Sequence, residues 1–253
     1  MSKRLGQNFL VNRNARERIL AAALGLAGLS PQPQAETRIW EIGPGIGSMT
    51  ELALEAGFQV AAFELDHGFA RLLSRIFGER PNFRLVEGDF LKTWKAELAA
   101  SGPPALVFGN LPYNVANAIV AVMIEGFAEA GLPTPPMAFT VQKEAGIRMA
   151  AKPGSKDYSA FSVLCTSACK VTPAFDLSAS SFWPVPRVTS TLVVMKPKPK
   201  PIGGADRKAF STFCRSAFAT RRKTLKNNLK AAGWPEEIIE PSLVALGHSP
   251  SIR

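Results

Sequence analysis

Asn110-Leu111-Pro112-Tyr113 combines an amide, a hydrophobe, a proline and an aromatic ring directly after an apolar run. These types suit chemistry on the exocyclic amine of an adenine, a poor nucleophile because its lone pair is delocalised into the ring. Asn110 can accept one amino hydrogen through its side-chain carbonyl, and Leu111 the other through its main-chain carbonyl, since Pro112 fixes the backbone direction. Tyr113 can stack on an extruded base, so orientation and electrostatics would drive a group transfer without a metal or a nucleophilic residue. The alternative interpretation gives this segment no catalytic role and makes it a proline turn after a buried strand.

A glycine-rich segment, Gly43-Pro-Gly45-Ile-Gly47, follows another apolar run and precedes a helical pattern that begins near Ser48. Glycine lets the backbone approach a ligand and adopt angles that a Cβ would forbid. Such turns bind either dinucleotides or S-adenosylmethionine. The dinucleotide fingerprint has two residues between its second and third glycines, whereas one residue separates Gly45 from Gly47, so the spacing disfavours a pyrophosphate.

Acidic residues follow the next two predicted strands. Glu64 lies about 20 residues after Gly43, where a carboxylate would accept hydrogen bonds from ribose hydroxyls. Asp89, in the segment Gly88-Asp89-Phe90, suits the exocyclic amine of an adenine ring, with Phe90 or a neighbour stacking on the base. Each acid alone is more often a helix cap or a solvated loop residue. Three successive strand ends that carry glycines, Glu64 and Asp89 predict one crevice at the carboxyl edge of a sheet.

The elements that must position these residues alternate along the first 200 residues, where short β-branched or aromatic runs are separated by amphipathic helical patterns. This order predicts an α/β fold, a Rossmann-like, doubly wound and mostly parallel sheet of seven strands. The last two strands have only a loop around residues 182–187 between them, which indicates an antiparallel finish. The strands are expected at Arg38 to Ile42, Gln59 to Glu64, Phe83 to Glu87, Ala105 to Gly109, Met137 to Val141, Lys170 to Asp176 and Thr191 to Met195.

A second, smaller domain is expected after the Pro- and Gly-rich stretch at 196–204, which can continue neither a strand nor a helix. We therefore divide the chain into an α/β domain, residues 1–200, and a small all-α domain, residues 201–253. In the latter, five apolar residues recur at the spacing of one helical face: Phe210, Phe213, Cys214, Ala217 and Phe218.

Positive charge is concentrated in this second part. The chain has a net charge of +10, and residues 207–230 contain eight Lys or Arg and no acid. Such a cluster favours a polyanionic partner, although a solvated helix surface would look similar. The predicted phosphate-binding residues are Arg221, Arg222, Lys223 and Lys226.

The composition fits a soluble globular protein, because 46% hydrophobic and 20% charged residues in a chain of 253 exclude disordered and collagenous classes. No run of about 18 uncharged apolar residues occurs, so no membrane span is expected. Three cysteines without a paired Cys or His motif predict reduced thiols in a cytoplasmic protein, with no zinc site.

Taken together, these motifs resemble the ribosomal RNA adenine N6-dimethyltransferases, and the resemblance runs nearly from end to end. It implies S-adenosylmethionine as methyl donor, no metal, and N6-dimethylation of two adjacent adenines near the 3′ end of small-subunit ribosomal RNA. The segment Leu5-Gly-Gln-Asn8-Phe-Leu10 resembles the family's cofactor lid, and Phe182-Trp-Pro-Val-Pro186 its loop beside the target base. From the residues alone, Phe182 would be a core residue. The resemblance implies cofactor contacts for Asn8, Leu10, Gly43, Gly45, Glu64, Asp89 and Asn110, and target contacts for Asn110, Leu111, Pro112, Tyr113 and Phe182.

Other functions remain open at this point. Large-subunit RNA methyltransferases that confer macrolide resistance share the glycine turn and the motif at Asn110, and the basic tail separates them from the small-subunit branch. A non-catalytic ribosome-assembly factor would need the fold and the tail but not Asn110 and Tyr113. A nicotinamide-dependent oxidoreductase would leave both the motif and the tail unexplained. We expect a cytoplasmic monomer that acts on ribosomal RNA in immature small ribosomal subunits.

Overall fold

A computed structural model of the chain describes residues 8–32, 36–112, 115–203 and 206–252. Within these ranges the strands are β1 (Phe9–Leu10), β2 (Arg38–Ile42), β3 (Gln59–Glu64), β4 (Phe83–Glu87), β5 (Leu106–Asn110), β6 (Met137–Gln142), β7 (Cys169–Leu177), β8 (Phe182–Trp183) and β9 (Ser190–Pro197). The helices are α1 (Arg13–Ala27), α2 (Ser48–Glu55), α3 (His67–Phe77), α4 (Phe90–Ser101), α5 (Ala116–Glu129), α6 (Lys143–Met149), α7 (Ala160–Ala168), α8 (Arg207–Ala217), α9 (Leu225–Ala231) and α10 (Glu236–Ala245).

The main sheet has seven strands in the order β4-β3-β2-β5-β6-β9-β7. Strand β9 runs antiparallel to both of its neighbours, and the other pairs are parallel. The predicted doubly wound, mostly parallel sheet with an antiparallel finish is therefore confirmed. The order reverses at β2, which lies between β3 and β5, so the carboxyl ends of β2 and β5 flank the crevice where open α/β sheets bind ligands.

Two apolar layers cover the sheet because alternate residues of each strand point to opposite faces. On one face Trp40 packs with Phe63, Phe90 and Phe127 beneath α4, α5 and α7. On the other face Ile39 belongs to a layer that includes residues of α1, α2 and α3. Full burial of one such side chain contributes about 1.5–3 kcal/mol, so these layers hold the strand ends in a fixed arrangement.

Helix α8 packs on α5 and α7 of the sheet domain, although it follows the Pro- and Gly-rich stretch. Its buried face carries Arg207, Ser211 and Cys214, while Phe213 on the predicted apolar face is 37% exposed. Glu125 of α5 accepts hydrogen bonds from the Ser211 hydroxyl and from Arg215 Nη1. The buried face of α8 is more polar than its apolar periodicity predicts, because α8 packs on a side of α5 that presents the Glu125 carboxylate.

Helices α9 and α10 form the rest of the C-terminal part. They pack around a separate small apolar cluster of Leu229, Ile239 and Leu243. The division of the chain at residue 200 stays a prediction. Among the described residues, no helix combines the length and the apolar character that crossing a membrane requires.

Candidate functional site

The glycine turn after β2 is built from left-handed backbone. Gly43, Gly45 and Gly47 have φ angles of 69°, 57° and 81°, which residues with a Cβ rarely adopt. A Cβ on Gly47 would lie 2.6 Å from Phe77 Cε2, and one on Gly45 would lie 2.9 Å from Phe9 Cε1. The amide of Gly43 donates to the Phe63 carbonyl (2.9 Å), which ties the turn to β3 before α2 begins.

Glu64, at the end of β3, is buried and connects two segments of the site. Its Oε2 accepts a hydrogen bond from the Gly45 amide (3.0 Å), and its Oε1 accepts one from the Asp66 amide (2.8 Å). Burial raises the pKa of the Glu64 carboxyl, and the bonds from Asp66 and Gly45 partly offset that shift. Each carboxylate oxygen has two acceptor positions, so both can also accept from a ligand hydroxyl.

Asp89 follows β4 and caps helix α4, since its Oδ1 accepts a hydrogen bond from the Leu91 amide (3.0 Å). It lines the same cavity as Glu64 and the glycine turn. The predicted crevice is therefore present, and most of the residues assigned to a cofactor or a target meet in it. Those that line it are Asn8, Leu10, Gly43, Gly45, Glu64, Asp89, Asn110, Leu111 and Pro112.

Asn110 ends β5 inside this cavity. Its Nδ2 donates a hydrogen bond to the main-chain carbonyl of Asn8 (2.7 Å), so the amide nitrogen faces the N-terminal segment and Oδ1 is the atom left as an acceptor. The preceding residue is Gly109, where a Cβ would clash with the carbonyl oxygen of Ile42. Sequence reasoning missed Gly109, although a glycine inside an apolar strand is a signal for close backbone approach.

The residues after Asn110 connect β5 to helix α5. The Leu111 amide donates to the Thr140 carbonyl (3.1 Å), and the Pro112 carbonyl accepts from the amides of Val115 and Ala116 (3.1 Å each). The Pro112 carbonyl is thus used by the first turn of α5. Tyr113, the predicted stacking residue, lies outside the described residues.

The N-terminal segment closes one side of the cavity. Strand β1 pairs with β8 in an antiparallel ribbon, with Phe9 opposite Trp183 and Leu10 opposite Phe182. The Ser48 hydroxyl donates to the Leu10 carbonyl (3.1 Å). The ring of Phe9, which the sequence reasoning did not single out, meets Phe69 edge-on at 5.2 Å and lies against Gly45. This segment therefore joins α2, Asn110 and β8 around the cavity.

Phe182 is only 2% exposed and packs in the apolar layer that contains Leu10. Phe182 does not line the cavity. The adjacent Trp183 is 53% exposed. The burial of Phe182 agrees with the expectation from the residues alone, that of a core side chain. Its predicted contact with a target base stays a prediction.

The four predicted phosphate-binding residues differ in their surroundings. Arg221, Arg222 and Lys223 are exposed in the turn before α9, where Arg221 Nη2 donates to the Tyr158 carbonyl (2.7 Å). Lys226 instead pairs with Glu236 (2.9 Å) and with Glu240. Hydrogen bonds from Lys230 and Lys226 lower the pKa of the Glu236 carboxyl to about 2. Helix α10 thus supplies the acids that the segment 207–230 lacks.

Glu41 is a second buried carboxyl in the cavity lining, in addition to Glu64. Unlike Glu64, it is not among the residues predicted from the sequence. Its Oε2 accepts a hydrogen bond from the Thr50 hydroxyl (2.6 Å), and burial raises its pKa to about 8. At neutral pH the side chain therefore holds a proton. The signal was present, because Glu41 is an acid in the middle of an otherwise apolar run.

We expect Glu41 to make the free energy of unfolding fall as the pH rises from about 4.5 to about 8. In that window the unfolded chain has lost the proton that the folded chain keeps, so each unit of pH favours unfolding. Denaturant unfolding would measure this free energy across the range, and we expect it to decline less steeply in Glu41→Gln than in the native protein. By pH 8 the change in the free energy of unfolding should favour the variant by a few kcal/mol. Parallel curves for the two proteins would contradict this assignment.

Among the described residues, no three metal-ligating side chains come together as a cluster. The prediction that no metal takes part stays a prediction.

A family model described as ribosomal RNA adenine dimethylase matches residues 1–242 of this chain. The ribosomal RNA small subunit methyltransferase A of Treponema denticola is 42% identical over 246 residues, which cover 94% of this chain and 79% of that protein. The protein of the same name from Hahella chejuensis is 36% identical over 254 residues, which cover 99% of this chain and 86% of that protein.

Two solved structures share the fold. A dimethyladenosine transferase from Plasmodium falciparum has a TM-score of 0.69 at 23% identity, over 96% of this chain and 83% of that one. The 23S rRNA methyltransferase ErmE has a TM-score of 0.65 at 22% identity, over 97% of this chain and 93% of that one. The match of the family model over nearly the whole chain and the identity to the two curated relatives lead to one conclusion: the chain belongs to the ribosomal RNA adenine dimethylase family.

Proposed function

We propose that this protein transfers methyl groups from S-adenosylmethionine to N6 of two adjacent adenines near the 3′ end of small-subunit ribosomal RNA, giving N6-dimethyladenosines. The curated relatives support this choice of substrate, because they are named small subunit methyltransferases. We further propose that the protein acts as a cytoplasmic monomer on the immature small ribosomal subunit.

The chemistry of the cavity fits S-adenosylmethionine. Glu64 offers a buried carboxylate to a ribose diol, Asp89 offers one to an adenine amine, and the left-handed turn at Gly43 and Gly45 leaves room for a chain that ends in an amino acid. Asn8 and Leu10 would close the cavity from the N-terminal side. When bound, the sulfonium supplies an electrophilic methyl group.

One observation carries the catalytic proposal, the hydrogen bond from Asn110 Nδ2 to the Asn8 carbonyl. It orients the amide so that Oδ1 can accept a hydrogen from the target amine, and the Leu111 carbonyl would accept the other. Holding both hydrogens keeps the amine in position for in-line attack, a gain from orientation and electrostatics. Tyr113 would stack on the base. Phe182 would reach the base only after β8 moves, because its ring is buried.

Glu64→Gln is expected to raise the dissociation constant of S-adenosylmethionine by roughly 5- to 150-fold, which corresponds to about 1–3 kcal/mol for the loss of charge-assisted hydrogen bonds. Isothermal titration would measure it. The matched control is Glu87→Gln, since Glu87 lies opposite Glu64 in the strand register but is exposed and lies outside the cavity lining. Equal dissociation constants for the two variants would remove Glu64 from the cofactor site.

The decisive experiment follows labelled methyl from S-adenosylmethionine into immature small subunits and, separately, into large subunits, and identifies the modified nucleoside by mass. We expect N6-dimethyladenosine in the small subunit alone. Label in the large subunit would assign the protein to the macrolide-resistance type. Tight binding of small subunits without transfer would favour a non-catalytic assembly factor.

A further inference from the structure

We propose that Trp183 is a stacking platform for an unpaired RNA base next to the adenine that undergoes methylation. This inference rests on the proposed function. It assigns a binding site to a residue that belongs neither to the cofactor cavity nor to the basic turn at 221–223.

The position of Trp183 follows from the strand register. In an antiparallel pair, residues directly opposite each other lie on the same face, so Trp183 shares a face with Phe9 while Phe182 shares the buried face with Leu10. Phe9 lines the cavity and follows Asn8, whose carbonyl holds Asn110. The Cα of Trp183 therefore lies within about 9 Å of the Cα of Asn8.

Trp183 is the most exposed of the four tryptophans. Its 53% exposure contrasts with Trp40 and Trp94, which are buried. The loop that follows continues the exposed apolar surface with Val185 (64%) and Val188 (42%), and it also presents the exposed Arg187. Proteins that bind single strands combine an aromatic face on which a base stacks with cations that pair with phosphates, and this short stretch of chain presents an exposed residue of each kind.

The occupant belongs to the RNA rather than to the methyl donor, because Trp183 does not line the cavity in which Glu64 and Asp89 lie. Extrusion of a target adenine also leaves the neighbouring base without a stacking partner. A platform one strand away from Asn8 would replace the lost stacking. It would hold the second adenine close to the site while the first reacts.

The first test compares four full-length proteins on immature small subunits: the native protein, Trp183→Ala, Trp183→Phe and, as matched control, Trp234→Ala. Trp234 is also exposed (38%) but lies beside Phe213 in the C-terminal part. We expect Trp183→Ala to raise KM for the subunit by about tenfold, Trp183→Phe to restore most of the affinity, and Trp234→Ala to match the native protein. Equal KM values for Trp183→Ala and Trp234→Ala would overturn the inference while leaving the proposed function intact.

Two further measurements separate stacking from support of the N-terminal segment. The dissociation constant of S-adenosylmethionine should be unchanged in Trp183→Ala, and a parallel loss of donor affinity would mean that Trp183 only stabilises the β1–β8 pair. Titration with a short oligoadenylate should quench tryptophan fluorescence in the native protein and in Trp234→Phe, but not in Trp183→Phe. This readout needs no transfer, so quenching that persists in Trp183→Phe overturns the platform even if the proposed activity fails.

Discussion

Replacing Asn110 with alanine is expected to lower kcat for methyl transfer by about 100-fold or more, while the dissociation constant of S-adenosylmethionine rises only a few-fold. The physical reason is the fixed orientation of the Asn110 amide. Its Nδ2 is held by the Asn8 carbonyl, so Oδ1 is preorganised to accept a hydrogen from the attacking amine. Single-turnover transfer to immature small subunits would measure the chemical step, and isothermal titration the donor affinity.

The control for this variant is Asn82→Ala, which removes another amide with a structural role. Asn82 Nδ2 donates to the carbonyls of Phe58 (3.0 Å) and Leu54 (3.3 Å), and the residue does not line the cavity. Its loss should lower the free energy of unfolding and leave kcat near the native value. Native transfer rates in Asn110→Ala would refute the mechanism. A donor affinity that falls as steeply as kcat would show instead that Asn110 acts mainly through the N-terminal segment.

Reversing three charges, Arg221, Arg222 and Lys223 to Glu, is expected to weaken binding to small subunits by roughly 10- to 100-fold at low salt and to reduce the salt slope by about 2 to 3. All three side chains are exposed in the turn before α9, so they are accessible to phosphate groups. Donor affinity should not change, because none of them lines the cavity. Binding measured over a range of salt concentrations gives both quantities.

A matched reversal separates local contacts from net charge. Arg71, Arg75 and Arg80 are exposed on and just after α3, and their change to Glu alters the total charge by the same amount. We expect this control to change the salt slope little. Adding Lys226→Gln to the first triple variant should weaken RNA binding little further, since Lys226 is already paired with Glu236 and Glu240 and the glutamine amide can still donate to them. An identical salt slope in the two triple variants would exclude the turn at 221–223 as a phosphate-binding surface.

Much of the fold could be predicted from local patterns. Strands β2 and β3 are almost wholly buried and must be largely apolar, and the edge strand β4 still carries Phe83, Leu85 and Val86, so the apolar runs predict all three strands with the bounds that the structure has. Parallel strands also bring their carboxyl ends to one edge, which is why the sequence predicts one crevice for Gly43, Glu64, Asp89 and Asn110, and all four line the cavity.

The partners of individual side chains depended on residues far away in the chain. The bond between Asn110 and Asn8 spans about a hundred positions, and the acids that pair with Lys226 belong to a later helix. The pairing of β1 with β8 decides that Phe182 is buried and Trp183 exposed, since a shift of one residue would exchange their faces.

The order of the elements and the edge of the sheet that carries the site can therefore be predicted from the amino-acid sequence, because hydrophobic periodicity and glycine conformation act locally. By contrast, the orientation of the Asn110 amide, the protonation of Glu41 and the pairing of the cations in the tail depend on the tertiary structure. Those properties arise from burial and from the neighbours that packing brings together, and neither is a function of position along the chain.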